Sequence, residues 1–306
     1  MPDADGPDVP VPVAADREDP GWLPPEINTG VAHPARVYNY WLGGKDDFAA
    51  DRELGDSIIE VMPSTVPAAR ANRAFLGRAV RFLAGEAGIR QFLDIGTGIP
   101  TAGNTHEVAQ AAAPEARVVY VDNDPIVLAH ARALMASHPA GATAFIQADL
   151  REPGKILADP ALTATLDLGR PVALMLIAVL HFLTEQDRPR EIVSELVSVL
   201  PSGSYLAIAH LTADFNPQEA AVAQAAGQRS GVTYVPRSRA EVAAFFAGLD
   251  LVDPGVVPLL GWRPEGGVPD SRAVRSYVAV GRKPLQHLTQ TVVDRRPHPS
   301  AAGDPP

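Results

Sequence analysis

Three aspartates and a pair of glycines carry the first chemical signal in this sequence. Asp94 stands just before Gly96 and Gly98, at the end of an apolar run that includes Phe92, Leu93 and Ile95. Asp122 closes a second apolar run, Val118 to Val121, and Asp149 follows a third, Ala144 to Ile146. A short apolar run ending in Gly-x-Gly reads as a buried parallel strand that turns sharply into a helix. Glycine suits such a turn because it takes left-handed dihedrals and lets a ligand approach bare main chain. Asp122 follows the glycines by roughly 20 residues, the spacing at which a dinucleotide fold sets a carboxylate against a ribose diol. The layout is that of a nucleoside site; the alternative is that Asp122 and Asp149 simply cap the helices after their strands. His181 lies beyond a fourth apolar run, where a neutral imidazole could take a proton from a hydroxyl or amine.

These side chains need an open α/β sheet to bring them together. Strands are expected at 91–95, 117–122, 144–147, 171–177 and 204–210, with two late strands at 249–257 and 275–282. Helices are expected between them at 104–112, 125–137, 188–200, 217–230 and 239–247. Pro125 suits a first helical position, with Asp124 as its cap, and Ser238 caps the last helix. Two helices, 50–61 and 66–84, precede the sheet, and the second gathers Phe75, Ala79, Phe82 and Leu83 on one face. The expected organisation is a disordered tail at 1–28, a helical cap at 29–88, an α/β core at 89–283 and a flexible tail at 284–306. Both tails are rich in proline and polar residues.

Bulk properties narrow the function. The 306 residues are 46% hydrophobic and 20% charged, ordinary for a globular protein. A formal net charge of -10 argues against a general binder of phosphate backbones, so no nucleic-acid partner is expected. With no cysteine there is no disulfide, thiolate zinc site or cysteine nucleophile, and no metal is expected. The acidic start lacks the basic and apolar regions of a signal peptide, and no apolar stretch is long enough to span a bilayer. A cytoplasmic protein is expected, and apolar cap helices could support a homodimer.

Two nucleoside cofactors compete for the layout. A nicotinamide dinucleotide wants a third glycine at the sixth position of its turn, where Thr101 stands here, preceded by Pro100. It also disfavours an acid beside its two phosphates, whereas Asp94 lies next to the glycines. S-adenosylmethionine brings an amino-acid end and an adenosine, with no pyrophosphate, and suits Asp94, Asp122 and Asp149 better.

Further stretches carry a resemblance. They are the run from His33 to Phe48, with its Tyr38-Asn39-Tyr40-Trp41-Leu42-Gly43-Gly44-Lys45-Asp46 motif, then Asn72-Arg73-Ala74-Phe75, Phe92 to Pro100, Asn104 to Gln110 and Val119 to Pro125. Together they resemble a bacterial group of class I S-adenosylmethionine-dependent methyltransferases whose substrates are mostly unassigned. The resemblance spans about residues 33–283. It implies a Rossmann-like sheet of seven strands, the last antiparallel, flanked by helices. It also implies that Asp94, Gly96 and Gly98 lie under the methionine end of the cofactor, that Asp122 binds the ribose, and that Asn123 flanks the adenine. Asp149 and Leu150 would then hold the adenine edge.

Other side chains are candidates beside these. Arg73 could meet the methionine carboxylate with a bidentate fork. Tyr38, Asn39, Lys45 and Asp46 could cover the cofactor or shape the acceptor pocket, although Lys45 and Asp46 could form a surface pair instead. Thr105 and His106 open the first core helix and could face the ligand or cap the helix. No amino-methylating Asn/Asp-Pro-Pro-Tyr motif is present. The expectation is transfer to a small-molecule oxygen or nitrogen, with His181 as candidate base. The rivals are a non-catalytic cofactor-binding regulator and an NAD-dependent oxidoreductase.

Overall fold

The computed structural model describes residues 28–134, 136–264, 266 and 274–285. The tails expected from the sequence lie outside the described residues, except for their innermost positions. Strands β1 (Gln91–Ile95), β2 (Arg117–Asp122), β3 (Ala142–Gln147), β4 (Ala173–Ile177) and β5 (Tyr205–Leu211) form a parallel sheet in the order β3-β2-β1-β4-β5. Two short strands, β6 (Asp250–Leu251) and β7 (Val257–Pro258), and the long β8 (Ser276–Arg282) complete it. β8 runs antiparallel beside β5, and β6 and β7 both pair with the other edge of β8. The single strand expected at 249–257 is therefore two, giving eight strands among the described residues. The reason is local: Pro254 offers no N–H to a ladder, and Gly255, at φ +79°, donates back to Val252 O.

The central strands are apolar on both faces because helices cover both. Phe92, Val118, Tyr120, Ala173 and Met175 point to one side, and Leu93, Val119, Val121, Leu174 and Leu176 to the other. Helix α1 (Pro34–Trp41), α2 (Ala49–Val61) and α3 (Thr65–Arg81) precede the sheet. Of these, α3 runs on into a π-helical turn at Phe82–Glu86 and buries Phe75, Ala79, Val80 and Leu83 on the first side, with Trp262 edge-on to Phe75 at 5.5 Å. The same side takes α4 (Thr105–Ala112), which follows β1. After α5 (Pro125–Leu134), α6 (Pro153–Ala158) and α7 (Pro160–Thr165), the chain enters β4 and leaves it for α8 (Pro189–Ser198). Ile192, Val193 and Leu196 of α8 pack on the second side.

Capping chemistry fixes where these helices begin. Ile126 N–H donates to Asp124 Oδ1 at 2.9 Å, so Asp124 caps α5 as its sequence suggests. Asn104 caps α4, and Glu107 reaches back to the Asn104 N–H at 3.2 Å.

The cover over the strand ends is assembled from two distant parts of the chain. α9 (Pro217–Arg229) follows β5 and precedes α10 (Arg239–Ala244). Ala223 and Ala226 of α9, with Val232 and Tyr234, share a small hydrophobic core with Val37, Leu54, Ile58 and Met62 of the first helices. A second tie is ionic. Arg36 is buried, with Nη1 3.6 Å from Asp51 and Nε 3.4 Å from Asp124, and its guanidinium donates to the carbonyls of Asn28 and Val31. Asp51 in turn accepts from the backbone N–H groups of His33 and Phe48, both at 2.8 Å.

Candidate functional site

The chain leaves β1 and β4, neighbouring strands, for opposite faces of the sheet. Their carboxyl ends therefore open a crevice, the place where open α/β sheets bind ligands. A cavity of about 550 Å³ begins there and extends under α1, α2 and α9. Its floor is the Gly96–Gly98 turn, with φ +75° and +68° at the two glycines. A Cβ on Gly98 would meet no atom within 4 Å, so bare backbone faces open space. A Cβ on Gly96 would come within 2.4 Å of Val179, which fixes the path of the chain after β4.

Three buried or half-buried carboxylates stand around this floor. Asp122 accepts from Gly98 N–H at 2.8 Å through Oδ2 and from Asp124 N–H at 3.0 Å through Oδ1. Burial raises its pKa above the usual carboxylate range, and those two N–H groups work against the rise. Asp94 accepts from the Thr105 hydroxyl at 2.6 Å, and burial pushes its pKa up to about 6 despite Thr105 and the nearby Arg73. Asp149 accepts from Asn123 Nδ2 at 3.3 Å and is paired by Arg151 at 3.2 Å. Leu150 is buried beside it. Arg73 lines the cavity and donates weakly to Ala102 O at 3.3 Å and Asn104 Oδ1 at 3.4 Å, beside the start of α4.

The far wall is apolar and aromatic, with His181 among Phe182, Tyr234, Trp41, Met62 and Val232. Ala178 brings His181 there: it takes a left-handed φ of 60°, uncommon for a residue with a Cβ, and turns the chain off the end of β4. His181 Nδ1 is buried without a hydrogen-bond partner. Burial, His210 and Arg237 hold the ring's pKa well below the usual histidine range, so it is neutral.

Not every residue singled out from the sequence reaches the cavity. Asp94, Gly96, Gly98, Asp122, Asn123, Asp149, Leu150, Arg73, Thr105, Tyr38 and His181 line it. Tyr38 does so as a fixed wall, since its hydroxyl donates to Ala69 O at 2.9 Å and accepts from Asn72 at 3.0 Å. His106, Asn39, Lys45 and Asp46 are absent from the lining. His106 turns under the sheet and meets the Tyr120 hydroxyl at 2.8 Å through Nδ1. The Asn39 side chain lies against the Cα of Gly44, Lys45 is exposed, and Asp46 faces His130 at 3.6 Å. A side chain one residue from a ligand-facing neighbour on a helix points about 100° away, and this separates His106 from Thr105.

Three groups escaped the sequence reading. Arg151 neutralises Asp149, Tyr234 closes the chamber from beyond α9, and buried Arg237 donates to His210 Nε2 at 3.0 Å. Arg151 alone had a local signal, standing two residues after the third strand's acid. Among the described residues no cluster of three or more His, Asp or Glu side chains has the arrangement of a metal site. No described helix is long and apolar enough to cross a membrane.

The sheet order, the antiparallel β8 beside β5 and the crevice after β1 define the class I methyltransferase fold. The family described as S-adenosyl methyltransferase matches residues 20–284, and this chain belongs to it. Two solved structures are similar over nearly their whole length. A DUF574 family protein from Streptomyces avermitilis MA-4680 is 49% identical over 84% of this chain and 99% of its own, with a TM-score of 0.82. A protein from Thermobifida fusca YX is 40% identical over 86% of this chain and 99% of its own, with a TM-score of 0.79. No curated protein matches the chain.

The cofactor of the family is S-adenosylmethionine, and the donor set fits it. Bare backbone at Gly98, acceptor carboxylates at the ends of β1, β2 and β3, and a guanidinium beside Asp94 match an ammonium, a diol, an exocyclic amine and a carboxylate.

Proposed function

We propose that this chain is an S-adenosylmethionine-dependent methyltransferase that acts on a small-molecule oxygen or nitrogen by direct in-line transfer. The observation that carries the reading is the continuity of the cavity. One cavity joins the carboxylate-ringed glycine floor to an apolar chamber with no carboxylate of its own among the described residues. The bound sulfonium supplies an already electrophilic methyl group. What remains for the protein is to position a nucleophile and exclude water. Asp122 would orient the ribose, Asp94 and Arg73 the amino-acid end, and Asn123, Asp149 and Leu150 the adenine. Trp41, Met62 and Tyr234 would keep water from the reacting centre.

Calorimetric titration of the full chain with S-adenosylmethionine, S-adenosylhomocysteine and NAD tests this. Both sulfur ligands should bind and NAD should not; binding of NAD alone would overturn it. The Asp94 assignment adds a pH signature. An ionised Asp94 would attract the cofactor ammonium, and its pKa without ligand is about 6. Affinity for S-adenosylhomocysteine should hold above that pH and weaken below it, by up to roughly tenfold per pH unit as one proton must be displaced. Asp94→Asn should bind weakly at every pH and lose the profile. A wild-type affinity flat from neutral to acidic pH would remove Asp94 from that role.

A further inference from the structure

The wall around His181 bears on the kind of acceptor, provided that the function proposed above holds. The two histidines there have different freedom. His210 is fully committed: its Nδ1 lies 2.8 Å from Leu211 O, so it carries the proton, and its Nε2 accepts from Arg237 Nη1 at 3.0 Å. Arg237 also donates to the carbonyls of Leu180 and Leu183, at 3.0 Å each, and so clamps both sides of His181. The His181 carbonyl accepts from Val235 N–H at 2.7 Å. The main chain at His181 is therefore pinned, while its imidazole, 9% exposed, lines the cavity; Nδ1 is sealed off without a partner, which leaves Nε2 as the ring nitrogen with accessible surface. A neutral ring nitrogen on an apolar wall, with no protein partner of its own, favours a ligand that supplies a hydrogen bond.

Its surroundings select further. The His181 ring centroid is 4.3 Å from that of Phe182 and 6.2 Å from that of Tyr234, with which it is stacked. Flat aromatic surfaces favour a flat partner in offset or edge contact. The charges are unevenly placed. The carboxylates lining the cavity, Asp94, Asp122 and Asp149, all stand at the cofactor end. At the His181 end, Arg237 sits one layer behind and is paired with Glu185 at 2.7 Å, and Arg275 is already paired with Glu219. An ammonium acceptor would be desolvated there with no carboxylate lining that end, and a carboxylate would find both nearby guanidiniums engaged.

We infer that the acceptor is an uncharged aromatic molecule with a hydroxyl or ring N–H, seated against Phe182 and Tyr234 and hydrogen-bonded by His181. The experiment uses the S-adenosylhomocysteine complex of the full chain, titrated near neutral pH with naphthol, naphthoate and naphthylmethylammonium. The three share one ring system and differ in charge. Naphthol should bind saturably, with a Kd at least about tenfold below either charged probe. His181→Phe should weaken naphthol by about fivefold or more and leave the Kd for S-adenosylhomocysteine unchanged. His181→Gln, which keeps a polar end, should recover part of the loss. A charged probe that binds as tightly as naphthol overturns the inference, as does a complex that binds none of the three. So does a His181→Phe variant with full naphthol affinity. The wild-type ranking needs no variant to fold. If S-adenosylhomocysteine itself fails to bind, the proposed function falls first, a result distinct from each of these.

Discussion

Asp122→Ala is expected to lower affinity for S-adenosylmethionine and S-adenosylhomocysteine by roughly a hundredfold or more while the chain stays folded. Hydrogen bonds to a charged acceptor contribute about 1.5–3 kcal/mol each, and a ribose diol would make two to this carboxylate. The carboxylate also holds Gly98 N–H and Asp124 N–H, at 2.8 and 3.0 Å. Its removal thus loosens the glycine floor and the start of α5 as well as the ligand contact. Asp122→Asn separates the two effects, because its amide oxygen can still accept one backbone N–H but not both diol protons. Calorimetry on both variants, with thermal unfolding as the control, is the check. Full affinity in folded Asp122→Ala would show that the ribose is held elsewhere.

Arg36→Ala should produce the largest loss of stability, on the order of 3–5 kcal/mol. Removing one partner of a buried ionic group leaves uncompensated charge behind. Here two carboxylates are affected, Asp51 at 0% and Asp124 at 4% exposure, and Arg36 also covers the Phe48 ring at 5.3 Å. Asp51 already has its pKa raised by burial, with Arg36 among the groups that oppose the rise. Without Arg36 that opposition weakens, so the variant should be relatively less impaired under mildly acidic conditions, where Asp51 takes up its proton. Urea unfolding at neutral and mildly acidic pH measures both quantities. Cofactor affinity should fall too, since Asp124 presents the N–H that Asp122 accepts. A loss below about 1 kcal/mol would place this cluster among weak ion pairs.

Much of the sheet was legible because its signals are local. Strand β1 carries Phe92, Leu93 and Ile95 just before a glycine, and β2 and β4 are apolar on both faces. Helices α4, α5 and α10 announce their starts through Asn104, Asp124 and Ser238, whose side chains accept from backbone within three residues. The edge formed by β6 and β7 was less legible. Its two short segments are held by pairing with β8, which lies further along the chain, and their own residues carry no alternation.

The sequence by itself determined the glycine-and-carboxylate end of the cavity. Gly96, Gly98, Asp94, Asp122 and Asp149 each lie at or within a few residues of a strand end, and the strand order of an α/β sheet brings such ends together. Only the tertiary structure decided the other end. Tyr234 joins the cap because Ala223 and Ala226 of α9 dock on Leu54 and Ile58, and Arg237 reaches back to His210 and to the turn around His181. The same holds for the division of Thr105 from His106, and for Asn39 turning to Gly44 instead of to the cavity. These contacts join residues far apart in the chain, or depend on helix rotation set by packing, and no local pattern of residue types encodes either.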